Sequence, residues 1–290
     1  MWSGNCGYHG WADWYAITTP RSKGVPKDFA RFVEPFGYND LASLERALDE
    51  HYGKVAAVIM EAVLLDAPAA GFLEGVKALA HRHGAVLIFD EIVTGFRWAM
   101  GGAQQHFGVT PDLATFGKGM ANGLPLAAIV GRRDLMEEFE DIFVSSTFGG
   151  DTLALAAARA TIEEYRRQPV IERLWAVGRR FQEGFRAAAA RAGVPADCVG
   201  YPVHPKIVIR HESDEARRLL VSLFLQETAR RGSLFHFAGF NVSFSHTDAD
   251  VDETLAACED ALRVIGDALG DGRIAERLEG KPYNEAFRRS

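Results

Sequence analysis

Hydrophobic positions along the chain fall into short continuous runs separated by stretches of helical period. Val55-Ala56-Ala57-Val58-Ile59-Met60 and Ala85-Val86-Leu87-Ile88-Phe89 are nearly uninterrupted apolar runs, the pattern of parallel strands buried on both faces. Between them Phe72, Val76, Leu79 and Ala80 recur on one helical face, and Gly84 supplies a C-terminal stop. Upstream, Leu41, Leu44 and Leu48 form a helical stripe behind Asn39 or Asp40 as N-cap. Leu113 to Phe116 and Pro125 to Val130 read as two more strands, separated by a glycine-containing loop. Strand, helix and strand repeated in this order predict an α/β architecture with a mostly parallel sheet.

The pattern changes at residue 151. Residues 151–192 are rich in Ala, Arg and Glu and helical in period, with no strand signal, which predicts a long connecting helix followed by a second one. A smaller α+β unit comes next: a strand from Lys206 to Arg210, a helix over 213–231, a strand element over 240–245 and a closing helix over 248–268. The expected division is therefore a large domain over 1–192, a small C-terminal domain over 193–270 and a polar tail over 271–290. No internal repeat or low-complexity segment interrupts it.

Composition narrows the function classes. The 290 residues are 48% hydrophobic and 24% charged, ordinary values for a globular protein of one large or two smaller domains. A net charge of −7 provides no basic excess to neutralise phosphates, so a general nucleic-acid or anionic-membrane binder is not expected. The pairs Arg132-Arg133, Arg166-Arg167 and Arg179-Arg180 read as solvated faces. Cys6, Cys198 and Cys258 are odd in number and form no CxxC pair, neither a disulfide framework nor a zinc site, so a reducing cytoplasm is the expected location. No leader-like segment and no membrane-length apolar run is visible.

Candidate chemistry sits where the apolar runs end. In an open parallel sheet, ligands bind beyond the carboxyl ends of the strands. One run ends in Asp90-Glu91, and another, Leu113 to Phe116, ends in Gly117-Lys118-Gly119. Flanking glycines leave a lysine amine unobstructed and let backbone approach a bound group. A desolvated amine is a competent Schiff-base nucleophile, and a carboxylate can keep a pyridine nitrogen protonated so that the ring draws electrons. A phosphate-loop reading needs Gly at 112 and Ser or Thr at 119; Asp112 and Gly119 stand there, which rejects it. A purely structural Gly-Lys-Gly turn stays open on these residues alone. The histidines His81, His83, His106, His204, His211, His236 and His246 show no ligand spacing and read as surface or core residues, with His236 a candidate for the site entrance.

The segments FDEIVTGFR and GVTPDLATFGKGMANGLPLAAIVG closely resemble the class III, fold-type I aminotransferases, and the resemblance runs from Tyr8 to about residue 268. It implies a pyridoxal 5'-phosphate (PLP) enzyme that moves an amino group between a small-molecule donor and a carbonyl acceptor, either as a transaminase or as an intramolecular aminomutase. Lys118 falls on the lysine of the internal aldimine and Asp90 on the pyridine-nitrogen partner. Ile92 falls on the aliphatic residue beneath the ring. Tyr8-His9-Gly10 matches the YHG motif, whose tyrosine covers the other ring face, and His9 is carried over with it on the cofactor side. Glu61 falls in a frequent Glu-Pro step, here Glu61-Ala62, and is likewise placed at the cofactor. Ser146-Thr147-Phe148-Gly149-Gly150 matches the segment whose threonine reaches a PLP phosphate across the dimer interface, so Thr147 implies a homodimer with shared sites. Val93 stands where many members have glutamine, which resembles the glutamate-1-semialdehyde aminomutase branch. Asp66 falls near that branch's asparagine, which puts the corresponding contact in doubt.

Members of the family carry more than a hundred residues ahead of the YHG motif, including a Gly-Ser/Thr-x-Ala helix start that cups the PLP phosphate. That motif does not occur in these 290 residues, so the first strand of the large-domain sheet and its helix are expected to be missing. A fragment, one half of a split enzyme and a reduced binding or assembly partner are the three alternatives that the sequence leaves.

Overall fold

A computed structural model describes residues 22–63, 65–142, 148–236 and 239–283. In chain order its elements are α1 (Leu41–Glu50), β1 (Ala57–Met60), α2 (Phe72–Arg82), β2 (Val86–Asp90), α3 (Gly102–Phe107), β3 (Leu113–Phe116), β4 (Ala128–Gly131), α4 (Arg133–Glu137), α5 (Thr152–Arg167), α6 (Val170–Ala192), β5 (Ala196–Tyr201), β6 (His204–Ile209), α7 (Asp214–Arg230) and α8 (Asp248–Asp271). The expected alternation of strand and helix is present from β1 to β3. The described residues divide into two compact units, one over 22–56 and 69–85, the other over 57–68 and 86–283.

In the first unit α1 packs on α2. Asp40 proves to be the cap: its carboxylate accepts from Ser43 N at 3.0 Å, satisfying a donor that the first turn would otherwise leave orphaned. Asn39 has a different task, accepting from Ala69 N at 2.8 Å from a left-handed conformation. Leu44 and Leu48 on α1 and Phe72, Val76 and Ala80 on α2 are buried, as the apolar stripes predict. Gly84 ends α2 at φ 72°, and Ala85 N reaches back to Ala80 O at 2.9 Å, the long bond of a Schellman-type terminus.

The second unit holds a four-stranded sheet in the order β1-β2-β3-β4, with the first three strands parallel and β4 antiparallel. The register pairs Met60 with Phe89 and Asp90 with Thr115, so the carboxyl ends of all three parallel strands lie at one edge. Asp112 locks the opposite end: its carboxylate accepts from Leu87 N at 2.8 Å and from Arg132 Nη1 at 3.0 Å. The expected strand over Pro125 to Val130 is shorter and shifted, beginning at Ala128, because residues 118–124 form a 3-10 turn and a coil that lead into it.

Beyond the sheet, α6 packs against α8 and β5, and α7 against α8. Leu174, Val177, Phe181, Phe185 and Ala188 form the buried face of α6. Phe185 meets Phe224 of α7 edge-on with ring centroids 6.0 Å apart, and Leu220 of α7 and Leu262 and Ile265 of α8 are buried as well. The antiparallel β5–β6 hairpin was only half legible, since β5 (ADCVGY) has one fully buried residue, Cys198, and no apolar run. The strand expected over 240–245 is not formed. Phe240 N donates to Pro205 O at 3.0 Å, but the Val242 carbonyl is taken by a side chain, Arg97, so no ladder continues. The stretch 271–283 is tied to α7 and α8 rather than loose: Arg277 donates to Val264 O at 2.9 Å, and Tyr283 N to Ser222 Oγ at 2.8 Å.

Gly178 marks the tightest approach of α6 to the hairpin, because a Cβ there would overlap the Pro202 carbonyl. By helix propensity alone Gly→Ala would stabilise by about 1 kcal/mol. The obstructing atom is backbone and cannot turn away, so overpacking dominates. Gly178→Ala should destabilise the protein by about 1–3 kcal/mol, read as a lower urea midpoint; an unchanged or higher midpoint would contradict the packing argument.

Candidate active site

Three charged side chains collect at the carboxyl edge of the sheet: Glu61 just past β1, Asp90 at the end of β2 and Lys118 just past β3. Asp90 is half-buried. Its Oδ1 accepts from Ile92 N at 2.9 Å and, at a longer 3.4 Å, from Thr115 Oγ1, an Asx-type turn that fixes the carboxylate plane. Oδ2 makes no hydrogen bond among the described residues and stays available to a ligand donor. Ile92 is held against the other motif: a Cβ at Gly117 would lie 3.6 Å from Ile92 Cγ2.

Lys118 is exposed and has φ 39°, in the left-handed region. For a residue with a side chain that conformation costs about 1–2 kcal/mol. Packing holds it in place, since Phe116, Met120, Ala121 and Ala158 of α5 form one buried cluster beneath the turn. Strain of this kind collects where a side chain must be presented in a fixed direction.

The acid pair splits its duties. Glu91, adjacent to Asp90, is fully buried. Its carboxylate accepts from Thr94 Oγ1, from Ala103 N at 2.7 Å and from Gln104 N at 2.7 Å. It therefore caps α3 and closes the loop that starts at Asp90. A Cβ on Gly102, at φ 82°, would overlap this carboxylate. Farther along the loop, Tyr165 Oη donates to Phe96 O at 2.5 Å, and Trp175 Nε1 to Trp98 O at 3.1 Å. Arg97 Nη1 donates to Val203 O at 2.8 Å and Val242 O at 3.0 Å.

Electrostatics single out Glu61. Burial raises its pKa above the usual carboxyl range, Asp90 raises it further, and Lys118 acts in the opposite direction. Burial lowers the pKa of His204, opposed by its hydrogen bond to Asn241, while the positive charges of Arg97 and Lys118 lower it further. His204 had read as an ordinary core or surface histidine; nothing in its local sequence shows that the fold carries it to within electrostatic reach of Lys118. Thr115 was likewise passed over, although its strand position opposite Asp90 follows once the register is known.

Of the residues assigned from sequence, Asp90, Ile92, Lys118 and Glu61 share this edge. Tyr8, His9 and Thr147 lie outside the described residues. Val93 is half-buried and Asp66 exposed. Among the described residues no cluster of His, Cys, Asp and Glu could hold a metal ion, and no helix is long and apolar enough to cross a membrane.

Comparison with known proteins shows the fold and the family. Among solved structures, the PLP internal aldimine form of the Sphingopyxis sp. MTA144 FumI protein superposes with a TM-score of 0.79 at 28% identity, covering 85% of this chain and 61% of that one. An omega-transaminase from Sphaerobacter thermophilus shares the fold at a TM-score of 0.76 and 24% identity, over 83% and 59% of the two chains. The architecture is thus the α/β, fold-type I arrangement of the PLP-dependent transferases. The model for "Aminotransferase class-III" matches residues 7–255, and the chain belongs to that family. A 3-aminobutyryl-CoA aminotransferase of Cloacimonas acidaminovorans is 35% identical over 269 residues, and a glutamate-1-semialdehyde 2,1-aminomutase of Syntrophobacter fumaroxidans 36% over 283. These alignments cover 89% and 88% of this chain but 64% and 65% of those proteins, so the chain spans a little under two thirds of their length.

Two measurements test the roles given to the acids. Glu91→Ala removes a buried acceptor and leaves backbone donors unpaired, so stability should fall by about 3 kcal/mol, seen as an earlier denaturant midpoint; a loss within error of zero would refute the capping role. Glu61 behaves oppositely. An acid whose pKa folding raises binds its proton more tightly when folded, so its contribution to stability declines as pH climbs from the unfolded carboxyl value through the folded one. Glu61→Gln cannot lose that proton. In the cofactor-free chain the melting-temperature gain of Glu61→Gln over wild type should therefore grow with pH above 4.5 and then level off. A gain that is flat across pH would remove burial as the cause.

Proposed function

We propose that this chain carries the centre of a PLP-dependent enzyme that transfers an amino group, as a transaminase or as an aminomutase of the glutamate-1-semialdehyde type. The observation that carries the reading is the shared sheet edge: Asp90 and Lys118 end neighbouring parallel strands, with Ile92 packed between their loops against Gly117. The donor set suits PLP, because it offers a carboxylate oxygen without a partner among the described residues, an accessible amine and an aliphatic surface for a flat ring. When bound, the cofactor supplies an aldehyde that condenses with amines and a pyridine ring that withdraws electrons.

Each residue has a stated task in this reading. Asp90 holds the proton of the pyridine nitrogen, its plane set by the Ile92 amide. Lys118 is the amine that attaches the cofactor and later takes a proton from the substrate carbon and returns it, general acid–base work. Ile92 supports one ring face and excludes water, which strengthens the charge interactions within. Glu61, just past the outer strand β1, lies within electrostatic reach of both Asp90 and Lys118 and adjusts the balance of charge at the edge. Tyr8 on the opposite ring face, His9 beside it and Thr147 at a partner's phosphate follow from the family resemblance alone. The Thr147 role carries with it a homodimer with shared sites.

The substrates are a small-molecule amino donor and a carbonyl acceptor. A large PLP-binding domain over 1–192, a small domain over 193–270 and a polar segment over 271–290 complete the proposal. So does a cytoplasmic location, in keeping with the free and buried thiols of Cys198 and Cys258.

The test is chemical. Borohydride treatment of the PLP-loaded protein should fix a pyridoxyl label on the peptide containing Lys118. Lys118→Ala should lose that label, and amino transfer should fall by about 10²–10⁴ or more. An undiminished label at the same peptide in Lys118→Ala would overturn the assignment.

A further inference from the structure

Burial alternates along β3. Ala114 and Phe116 belong to the buried cluster beneath the lysine turn, and Leu113 and Thr115 face the other side of the sheet. The register sets Thr115 beside Asp90 of β2 and Ile129 of β4, and Leu113 beside Ile88. Aligned residues of neighbouring strands share a face, so Asp90 and Thr115 form a polar pair next to Ile88, Leu113 and Ile129. A β-branched side chain suits a strand, and valine or isoleucine would suit it equally among such neighbours. The strand therefore accounts for the shape of Thr115 and leaves its hydroxyl unexplained.

Among the described residues that hydroxyl has one hydrogen-bond partner. Thr115 Oγ1 donates to Asp90 Oδ1 at 3.4 Å, and the same oxygen accepts from Ile92 N at 2.9 Å. The two donors come from different elements, the loop after β2 and the body of β3. With the Ile92 amide alone, the direction of the carboxylate would depend on a loop. Thr115 ties it to the sheet, where Glu91 N donates to Thr115 O at 2.9 Å. Lys118 follows the same strand, so acid and lysine are both referred to β3. A hydroxyl 3.4 Å from a carboxylate oxygen makes a long bond that contributes little to the cofactor-free fold. Hydrogen bonds at reacting sites are often long in the empty protein and tighten when the ligand is bound.

We propose that Thr115 is a positioning residue for Asp90: its hydroxyl holds Oδ1 so that Oδ2 is presented to the pyridine nitrogen of the cofactor. The proposal rests on Asp90 as the partner of that nitrogen. Without the hydroxyl, Oδ2 samples a wider range of directions, and the loss falls on ring binding rather than on the stability of the empty chain.

Pyridoxamine 5'-phosphate is the probe, because it carries the same ring with an amine in place of the aldehyde and cannot attach to Lys118. The full chain without cofactor is titrated with it and followed by tryptophan fluorescence. Thr115→Val, which keeps the shape and removes the hydroxyl, should raise the Kd about tenfold. Thr115→Ser, which keeps the hydroxyl, should restore most of that affinity. The urea midpoint of the cofactor-free Thr115→Val chain should not fall; a midpoint that falls together with the affinity would make the hydroxyl structural and overturn the proposal. In an Asp90→Ala background Thr115→Val should have no further effect, since no acid is left to position. An unchanged Kd in Thr115→Val, an equal loss in Thr115→Ser, or losses that add in the double variant overturn the role of Thr115 and leave Asp90 standing. A wild-type Kd in Asp90→Ala, or wild-type protein that does not bind the probe, defeats the reading of the acid and the proposal with it. If Thr115→Val fails to fold, Thr115→Ala set against Thr115→Ser makes the same comparison.

Discussion

The buried carboxylate of Glu91 governs the geometry of the whole site. It accepts from one hydroxyl in the loop after β2 and from two backbone amides in the first turn of α3, and it has no cation partner among the described residues. A carboxyl group in that position is tolerable only because both of its oxygens are matched by fixed donors. That requirement dictates the path of residues 91–104: Thr94 must turn inward, the start of α3 must point its amides at the acid, and Gly102 must have no side chain. Asp90 and Ile92 take their directions from the same loop, so the residues that would meet a cofactor inherit their placement from an acid that never touches it.

The loop is held from its far side as well. Phe96, Arg97 and Trp98 are each bonded to a residue far along the chain, in α5, in α6 or around the β5–β6 hairpin. Tyr165 stacks edge-on against Phe96 with centroids 5.8 Å apart, and Phe96 meets Phe116 at 6.1 Å, which connects the same strap to the cluster under Lys118. Asp90 and Lys118 come from different strands, yet one continuous packing arrangement sets the position of both. A small displacement of the hairpin would therefore reach the site as a rotation of the loop, because close-packed interiors transmit strain rather than absorb it.

Local signals in the sequence were enough for much of this. β1, β2 and β3 were readable because buried parallel strands are apolar without interruption, and Asp90 and Lys118 because each follows such a run directly. The strand β5 was not, since Ala196 to Tyr201 owes its conformation to pairing with β6 and not to its own residues. The opposite error at 240–245 has the same origin: its residues suit a strand, but Arg97 takes a carbonyl that a ladder would need. Glu91 could not be told from Asp90, because two adjacent acids differ only in which way the strand end turns them. Arg97 lay in plain view within FDEIVTGFR, yet its partners are 106 and 145 residues away, a distance no local pattern spans.

Glu61 shows why the charges at the sheet edge must be considered together. Asp90 raises its pKa and Lys118 lowers it, so the proton on Glu61 depends on whether Lys118 carries its positive charge. Any chemistry that removes that charge removes the one influence favouring the ionised form, and Glu61 then holds its proton more firmly. The change opposes a build-up of negative charge beside Asp90, since two carboxylates in a desolvated place disfavour joint ionisation.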